Sequence, residues 1–166
     1  PFEYLRISVT DLCNLRCVYC MPEEGVPWLP RDEILSFEEI TTVVEAAAAG
    51  GVWKVRLTGG EPLVRKDIAR LVERIAKIPG IRDLSMTTNG ILLAEAACDL
   101  TRAGLQRINV SLDTLNEGAF GRITRRGRLS DVLSGIDRAQ EAGLAPIKIN
   151  TVVMGGLNDG EAADLA

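Results

Sequence analysis

Cys13, Cys17 and Cys20 stand in the stretch Ser8-Val9-Thr10-Asp11-Leu12-Cys13-Asn14-Leu15-Arg16-Cys17-Val18-Tyr19-Cys20-Met21-Pro22. Their C-x3-C-x2-C spacing lets one short loop wrap a single inorganic centre. Thiolates are the usual ligands of iron–sulfur clusters, and a cubane of four irons normally takes four of them. Three thiolates leave one iron with an open position, the feature that separates a catalytic metal site from a closed structural one. Zinc or three structural thiols would use the same residues. Zinc needs a fourth ligand, and in a chain without histidine only Cys98 or a carboxylate remains. Cys98 lies among Ala94, Ala96, Ala97 and Leu100 and reads as a small buried thiol. Thiol count and spacing favour the cluster.

Elements must hold that loop, and the chain is long enough to supply them. Its 166 residues, 46% apolar, suit one globular domain with a real core. No apolar run approaches the ~18 residues of a membrane span, and no signal-peptide pattern is present. Four cysteines at this length do not make a disulfide scaffold, which points to a reducing, cytoplasmic compartment. A net charge of −4 disfavours a nucleic-acid partner. The absence of histidine removes the commonest general base and metal ligand. The chain starts at Pro1 and stops at Ala166, inside what reads as a capped helix barely begun after Asn158. A piece of a longer protein is expected.

A βα rhythm recurs. Leu5–Thr10 reads as a strand, and the cysteine loop follows it. Ser36-Phe37-Glu38-Glu39 is a capping box, opening a helix with Ile40, Val43, Val44, Ala47 and Ala48 on one face. Lys54–Thr58 is a strand, Gly59-Gly60-Glu61-Pro62 a turn, and Ile68, Leu71, Val72 and Ile75 keep helical spacing. Leu84–Thr87 and Arg107–Leu112 are strands around a helix from Ile91 to Arg102. A helix from about Asp131 to Ala142 leads to a fifth strand, Ile147–Val153. Such alternation implies a parallel sheet with right-handed crossovers.

The repeat has a register. Helices end at Gly51, Gly80, Gly104 and Gly143, and seven residues on from each stand Thr58, Thr87, Ser111 and Asn150. Five residues on stand Arg56, Ser85, Asn109 and Lys148. Both sets share parity and therefore one face of the sheet, with Arg6, Ser8 and Thr10 of strand one. The other face carries Val55, Leu57, Leu84, Met86, Ile108, Val110, Ile147 and Ile149. A fully buried parallel strand reads as continuous aliphatic, and a closed barrel fills its interior with branched side chains. One polar face in all five strands points instead to an α/β fold: an open, partial TIM-type barrel whose lumen takes a large polar ligand. Arg6, Arg56 and Lys148 face that lumen in an acidic chain. Unpaired cations there call for something anionic.

The cysteine loop after strand one, with Tyr19 just before the last cysteine, resembles that of the radical S-adenosylmethionine enzymes. The resemblance implies a 4Fe–4S cluster on Cys13, Cys17 and Cys20, whose unique iron takes the amino and carboxylate groups of S-adenosylmethionine. One electron then yields methionine and a 5′-deoxyadenosyl radical. Gly59-Gly60-Glu61-Pro62 is similar to the segment after strand two whose backbone receives the methionyl amino group, a close approach that glycine permits.

The likeness narrows through Leu5–Asp11, Cys13-Asn14-Leu15-Arg16-Cys17, Cys20-Met21-Pro22-Glu23-Glu24, Arg56–Leu63, Thr87-Thr88-Asn89-Gly90, Arg107–Asp113, Lys148–Val153 and Gly156-Leu157-Asn158. Together these resemble the GTP 3′,8-cyclases of molybdenum cofactor biosynthesis. That resemblance implies a lyase in which the radical takes the ribose 3′ hydrogen of GTP and C3′ attacks guanine C8. It implies that Tyr19, Gly60 and Ser111 contact S-adenosylmethionine, and that Arg6, Arg56, Thr87 and Lys148 contact GTP. Arg125-Arg126-Gly127-Arg128 reads as a solvated basic loop. The resemblance further implies an electron donor and a downstream pterin-forming enzyme as partners, allows a homodimer, and places a second 4Fe–4S cluster on three later cysteines this chain lacks. Residues 1–166 are therefore expected to be the N-terminal part of a radical S-adenosylmethionine core domain, without catalysis of their own. The same loop would also serve a peptide-modifying maturase of that superfamily or a non-catalytic iron–sulfur module.

Overall fold

The computed structural model describes residues 2–161 and 163–164. Five strands, β1 (Tyr4–Ser8), β2 (Lys54–Thr58), β3 (Asp83–Thr88), β4 (Arg107–Ser111) and β5 (Ile147–Asn150), form one sheet in chain order. Every neighbouring pair is parallel. Between them run α1 (Phe37–Ala49), α2 (Ile68–Ala76), α3 (Leu93–Arg102), α4 (Glu117–Thr124) and α5 (Leu129–Glu141). This is the expected open α/β barrel segment. No helix among the described residues is long and apolar enough to cross a membrane.

Local chemistry sets the boundaries. Ser36 Oγ accepts from the Glu39 N–H at 3.2 Å, and Glu39 Oε2 accepts from the Ser36 N–H at 2.7 Å. Both halves of the capping box are thus present at the start of α1. Gly51, Gly80, Gly104 and Gly143 turn the chain back to the sheet at φ of 101°, 97°, 100° and 87°. The apolar parity set, with the apolar stripes of the helices, makes one core: Val55, Leu57, Met86, Ile108 and Val110 are fully buried, as are Leu71, Val72, Ile75 and Leu100.

The register is less uniform than the glycine count suggests. Arg6 pairs with Arg56, and Arg56 with Ser85. Ser85 then pairs with Arg107, so Asn109 sits opposite Thr87 and not opposite Ser85. A shift of two residues keeps each side chain on its face and adds the stagger a curling sheet needs. Asn109 then pairs with Lys148.

Several expectations are corrected. β1 stops at Ser8, because the Thr10 hydroxyl turns back to accept from the Leu12 N–H at 3.1 Å. β5 stops at Asn150, where side chains take over: Thr151 Oγ1 donates to Leu112 O at 2.8 Å, and the Val152 N–H to Asp113 Oδ1 at 2.9 Å. Val43 is exposed on α1 although Ile40 and Val44 are buried. Cys98 is exposed, not a buried thiol. The helix expected after Asn158 is a short 3-10 turn at Asp159–Glu161, and residues 162, 165 and 166 of that stretch lie outside the described residues.

Candidate active site

The cysteine loop leaves the C-terminal end of β1 and is held from three directions. From β2, the Gly60 N–H donates to Thr10 O and the Glu61 N–H to Leu12 O, both at 2.7 Å. The fit is tight: a Cβ on Gly60 would collide with the carbonyl oxygens of Asp11 and Leu12. From β3, Asn89 Nδ2 donates to Asn14 Oδ1 at 2.7 Å and approaches Cys13 Sγ at 3.9 Å. From α4, the carbonyls of Thr124 and Ile123 accept from the N–H groups of Arg16 and Val18 at 3.0 and 2.9 Å.

Glu61 organises the joint between β2 and β3. Its buried carboxylate accepts from the Leu63 N–H, the Thr88 hydroxyl and the Asn89 N–H at 3.0, 2.7 and 2.6 Å. Burial pushes its pKa up, against the pull of those three donors. On the other side Tyr19 donates to Asp113 Oδ2 at 2.8 Å, tying the loop to the end of β4. Partial burial and that hydrogen bond hold the phenol well above its usual range. Asp113 is itself fixed, since Asn158 Nδ2 donates to its backbone oxygen at 2.6 Å.

The donor set fits a thiolate-held metal group. All three cysteines are free, and Cys13 Sγ accepts from the Leu15 N–H at 3.4 Å. Burial, then Asp113 and the neighbouring Cys13, push Cys17 up to about 11. Burial also raises Cys13, with Glu61 and Cys20 adding to it. Among the described residues the side chains are not gathered into one tight ligating group. They are near enough to feel each other's charge, and a cationic centre would displace their protons.

The concave face holds the other expected residues. Arg6 Nη2 reaches Thr58 Oγ1 at 3.5 Å and Arg56 Nε reaches Ser85 Oγ at 3.4 Å, so both lie across the sheet rather than over its edge. Lys148 is exposed on β5, while Thr87 and Ser111 are half-buried on β3 and β4. Arg6 and Arg56 share a rung, and Thr87 and Lys148 flank Asn109 on another. Ser111 lies two residues further along β4, toward the cysteine loop's end of the sheet.

Sequence reasoning passed over several members of this region. Lys54 and Arg107 share the concave parity and pair with Asp83, Lys54 Nζ at 3.3 Å. The Tyr4 ring lies 5.7 Å from both Lys54 Nζ and the Arg56 guanidinium. The parity rule already contained all four residues. Arg125 is exposed, as the solvated-loop reading expects, yet its Nη1 also donates to Arg16 O and Met21 O at 3.2 and 3.1 Å, across the cysteine loop. Its αL backbone, φ 58°, ends α4 and turns it there.

Comparison with known proteins adds to this geometry. The Radical SAM superfamily model matches residues 7–166. The GTP 3′,8-cyclase of Thermodesulfovibrio yellowstonii is 58% identical over 165 residues, 99% of this chain and 51% of that protein. The GTP 3′,8-cyclase of Pelotomaculum thermopropionicum is 59% identical over 164 residues, 99% of this chain and 50% of that one. The chain spans about half the length of the curated relatives it matches. The crystal structure of methylornithine synthase (PylB) superposes with a TM-score of 0.74 at 17% identity, covering 99% of this chain and 48% of that one, a likeness of fold. With the family match running from β1 onward and the three-thiol loop at the end of that strand, the chain belongs to the radical SAM superfamily, whose chemistry rests on a 4Fe–4S cluster and S-adenosylmethionine.

Proposed function

We propose that this chain is the N-terminal part of the core domain of a GTP 3′,8-cyclase, acting in the cytoplasm on GTP to form (8S)-3′,8-cyclo-7,8-dihydroguanosine 5′-triphosphate. The observation that carries the reading is identity of 58% along nearly the whole chain to a relative of that name. A 4Fe–4S cluster on Cys13, Cys17 and Cys20, with S-adenosylmethionine, supplies a 5′-deoxyadenosyl radical after one-electron reduction.

The chain's own residues bind and orient. Gly60 offers backbone at close range to the methionyl amino group, and Tyr19 and Ser111 line the same cofactor. Arg6, Arg56 and Lys148 neutralise the triphosphate, with Thr87 as a hydroxyl partner. Charge-assisted contacts to phosphate are strong and directional, which suits guanidinium groups. On this reading a second 4Fe–4S cluster, beside guanine, is held by residues outside the stretch described by this chain. A low-potential electron donor, a pterin-forming enzyme that takes the product, and a second copy in a homodimer complete the set of partners.

The test uses protein carrying this chain together with the C-terminal half seen in its relatives, reconstituted anaerobically with iron and sulfide. Arg56→Ala and Lys148→Ala are expected to cut GTP turnover by roughly 10- to 100-fold, the loss of one charged hydrogen bond. Slow uncoupled cleavage of S-adenosylmethionine should persist in both. Unchanged GTP turnover would refute the substrate assignment.

A further inference from the structure

Arg16 lies between Cys13 and Cys17 and is 7% exposed. Its Nη1 donates to Cys13 O at 2.8 Å and to Leu15 O at 2.7 Å. Its guanidinium carbon stands 5.3 Å from the centroid of the Trp28 ring. Gly25 packs closely on the same guanidinium: a Cβ there would come within 3.2 Å of Arg16 Nε. That Nε is buried without a hydrogen-bond partner.

No carboxylate pairs with Arg16 among the described residues, although the surface arginines 102, 128 and 138 each have one. A desolvated guanidinium with neutral partners only is costly unless negative charge lies near. The carboxylates of this region are engaged elsewhere, Glu61 with Thr88 and Asn89, and Asp113 with Tyr19. Both lie beside the cysteine loop, Glu61 behind the Asn89 that approaches Cys13 Sγ and Asp113 on the Tyr19 hydroxyl, and both add negative charge there. Every electron added to a thiolate-held cluster makes that charge balance worse. Cluster potential follows net charge, hydrogen bonds to sulfur and solvent exposure. A caged cation next to Cys17 in the chain and hydrogen-bonded to the carbonyl of Cys13 acts on the first and the last of these.

We propose that Arg16 is a potential-setting residue: its caged guanidinium holds unpaired positive charge inside the cysteine loop and keeps the bound cluster reducible by a low-potential one-electron donor. The inference rests on the assignment of Cys13, Cys17 and Cys20 as the ligands. Trp28 and Gly25 are positioning residues, since they exclude water from the charge. Arg125 supports the same loop through its carbonyls without entering the cage.

The test is a redox titration read by electron resonance, on reconstituted protein without S-adenosylmethionine or GTP. Arg16→Gln should retain iron and sulfide but reduce at a more negative potential than the unaltered protein, and Arg16→Lys should recover most of the shift. Trp28→Leu keeps the charge but wets it, and should shift the potential the same way by less. An unchanged midpoint in Arg16→Gln with full iron content overturns the proposal. If Arg16→Gln loses its iron, Trp28→Leu decides, and an unchanged midpoint there overturns it. If the unaltered protein takes up no cluster, the ligand assignment fails first and this proposal with it.

Discussion

The two faces of the sheet obey different rules although they alternate along the same strands. On the helix side Val55 and Leu57 are sealed, and Leu84, Met86, Ile108 and Val110 extend the seal across three strands. On the concave side Arg6 and Lys148 are open to solvent and Arg56 is half so. Stability is concentrated on one face and ligand chemistry on the other, which lets the second carry cations that a core could not hold. β5 shows where the division weakens, because Ile149 on the helix side is 36% exposed. A strand paired on one side only seals neither face.

The strongest way to break this division is to make the same substitution at its two ends. Gly60→Ala would drive a methyl group into the carbonyls of Asp11 and Leu12, while Gly80→Ala meets nothing within 4 Å and bears only the strain of φ 97°. Gly60→Ala is expected to displace the cysteine loop and abolish iron uptake on reconstitution. Gly80→Ala should cost roughly 1–2 kcal/mol of stability and leave iron content intact. Equal iron loss in both would show that the loop depends on general stability and not on this contact.

Neighbours on one strand give the next test. Leu57 is fully buried and Arg56 points the other way. Leu57→Ala should destabilise by about 3 kcal/mol in denaturant unfolding. Arg56→Ala should change stability by less than about 1 kcal/mol, its loss appearing in GTP turnover instead. Comparable unfolding losses in the two would mean that the concave face also bears the fold.

Much of this division was legible because strand parity needs only spacing, and the helix-ending glycines mark where each count begins. The capping box at Ser36 was legible for the same reason, being a fixed local pattern. What escaped depends on contacts remote in sequence. α4 contains Gly118 and Gly121 and has weak intrinsic preference, yet it forms because Asn116 caps it and Ala119, Phe120 and Ile123 are buried. Arg125 belongs to a run of basic residues that resembles any solvated loop, and only the fold brings the cysteine-loop carbonyls to it. The two-residue shift between β3 and β4 is a property of sheet curvature, which parity alone does not reveal. The expected contact residues carry roles drawn from family likeness, whereas Asn89, Glu61 and Asp113 become visible as organisers only through their hydrogen bonds.

The smallest effect probes the joint between the two regions, where the chain leaving the cysteine loop enters α1. Ser36→Ala removes the hydroxyl that accepts from the Glu39 N–H, and should cost about 1 kcal/mol, a third of the Leu57→Ala loss. Glu39 adds a pH signature. The backbone N–H of Ser36, and then its hydroxyl, hold the Glu39 carboxyl below the usual carboxylate range. A group whose folded pKa is depressed contributes stability above its unfolded pKa and loses it as pH falls through the folded value. The stability gap between the unaltered protein and Glu39→Gln should therefore be full at neutral pH and close below about pH 4. A gap that stays constant across that range would mean that the carboxylate does not complete the cap in solution. Iron uptake should survive both substitutions, because neither touches the contacts that Gly60 and Asn89 make with the loop.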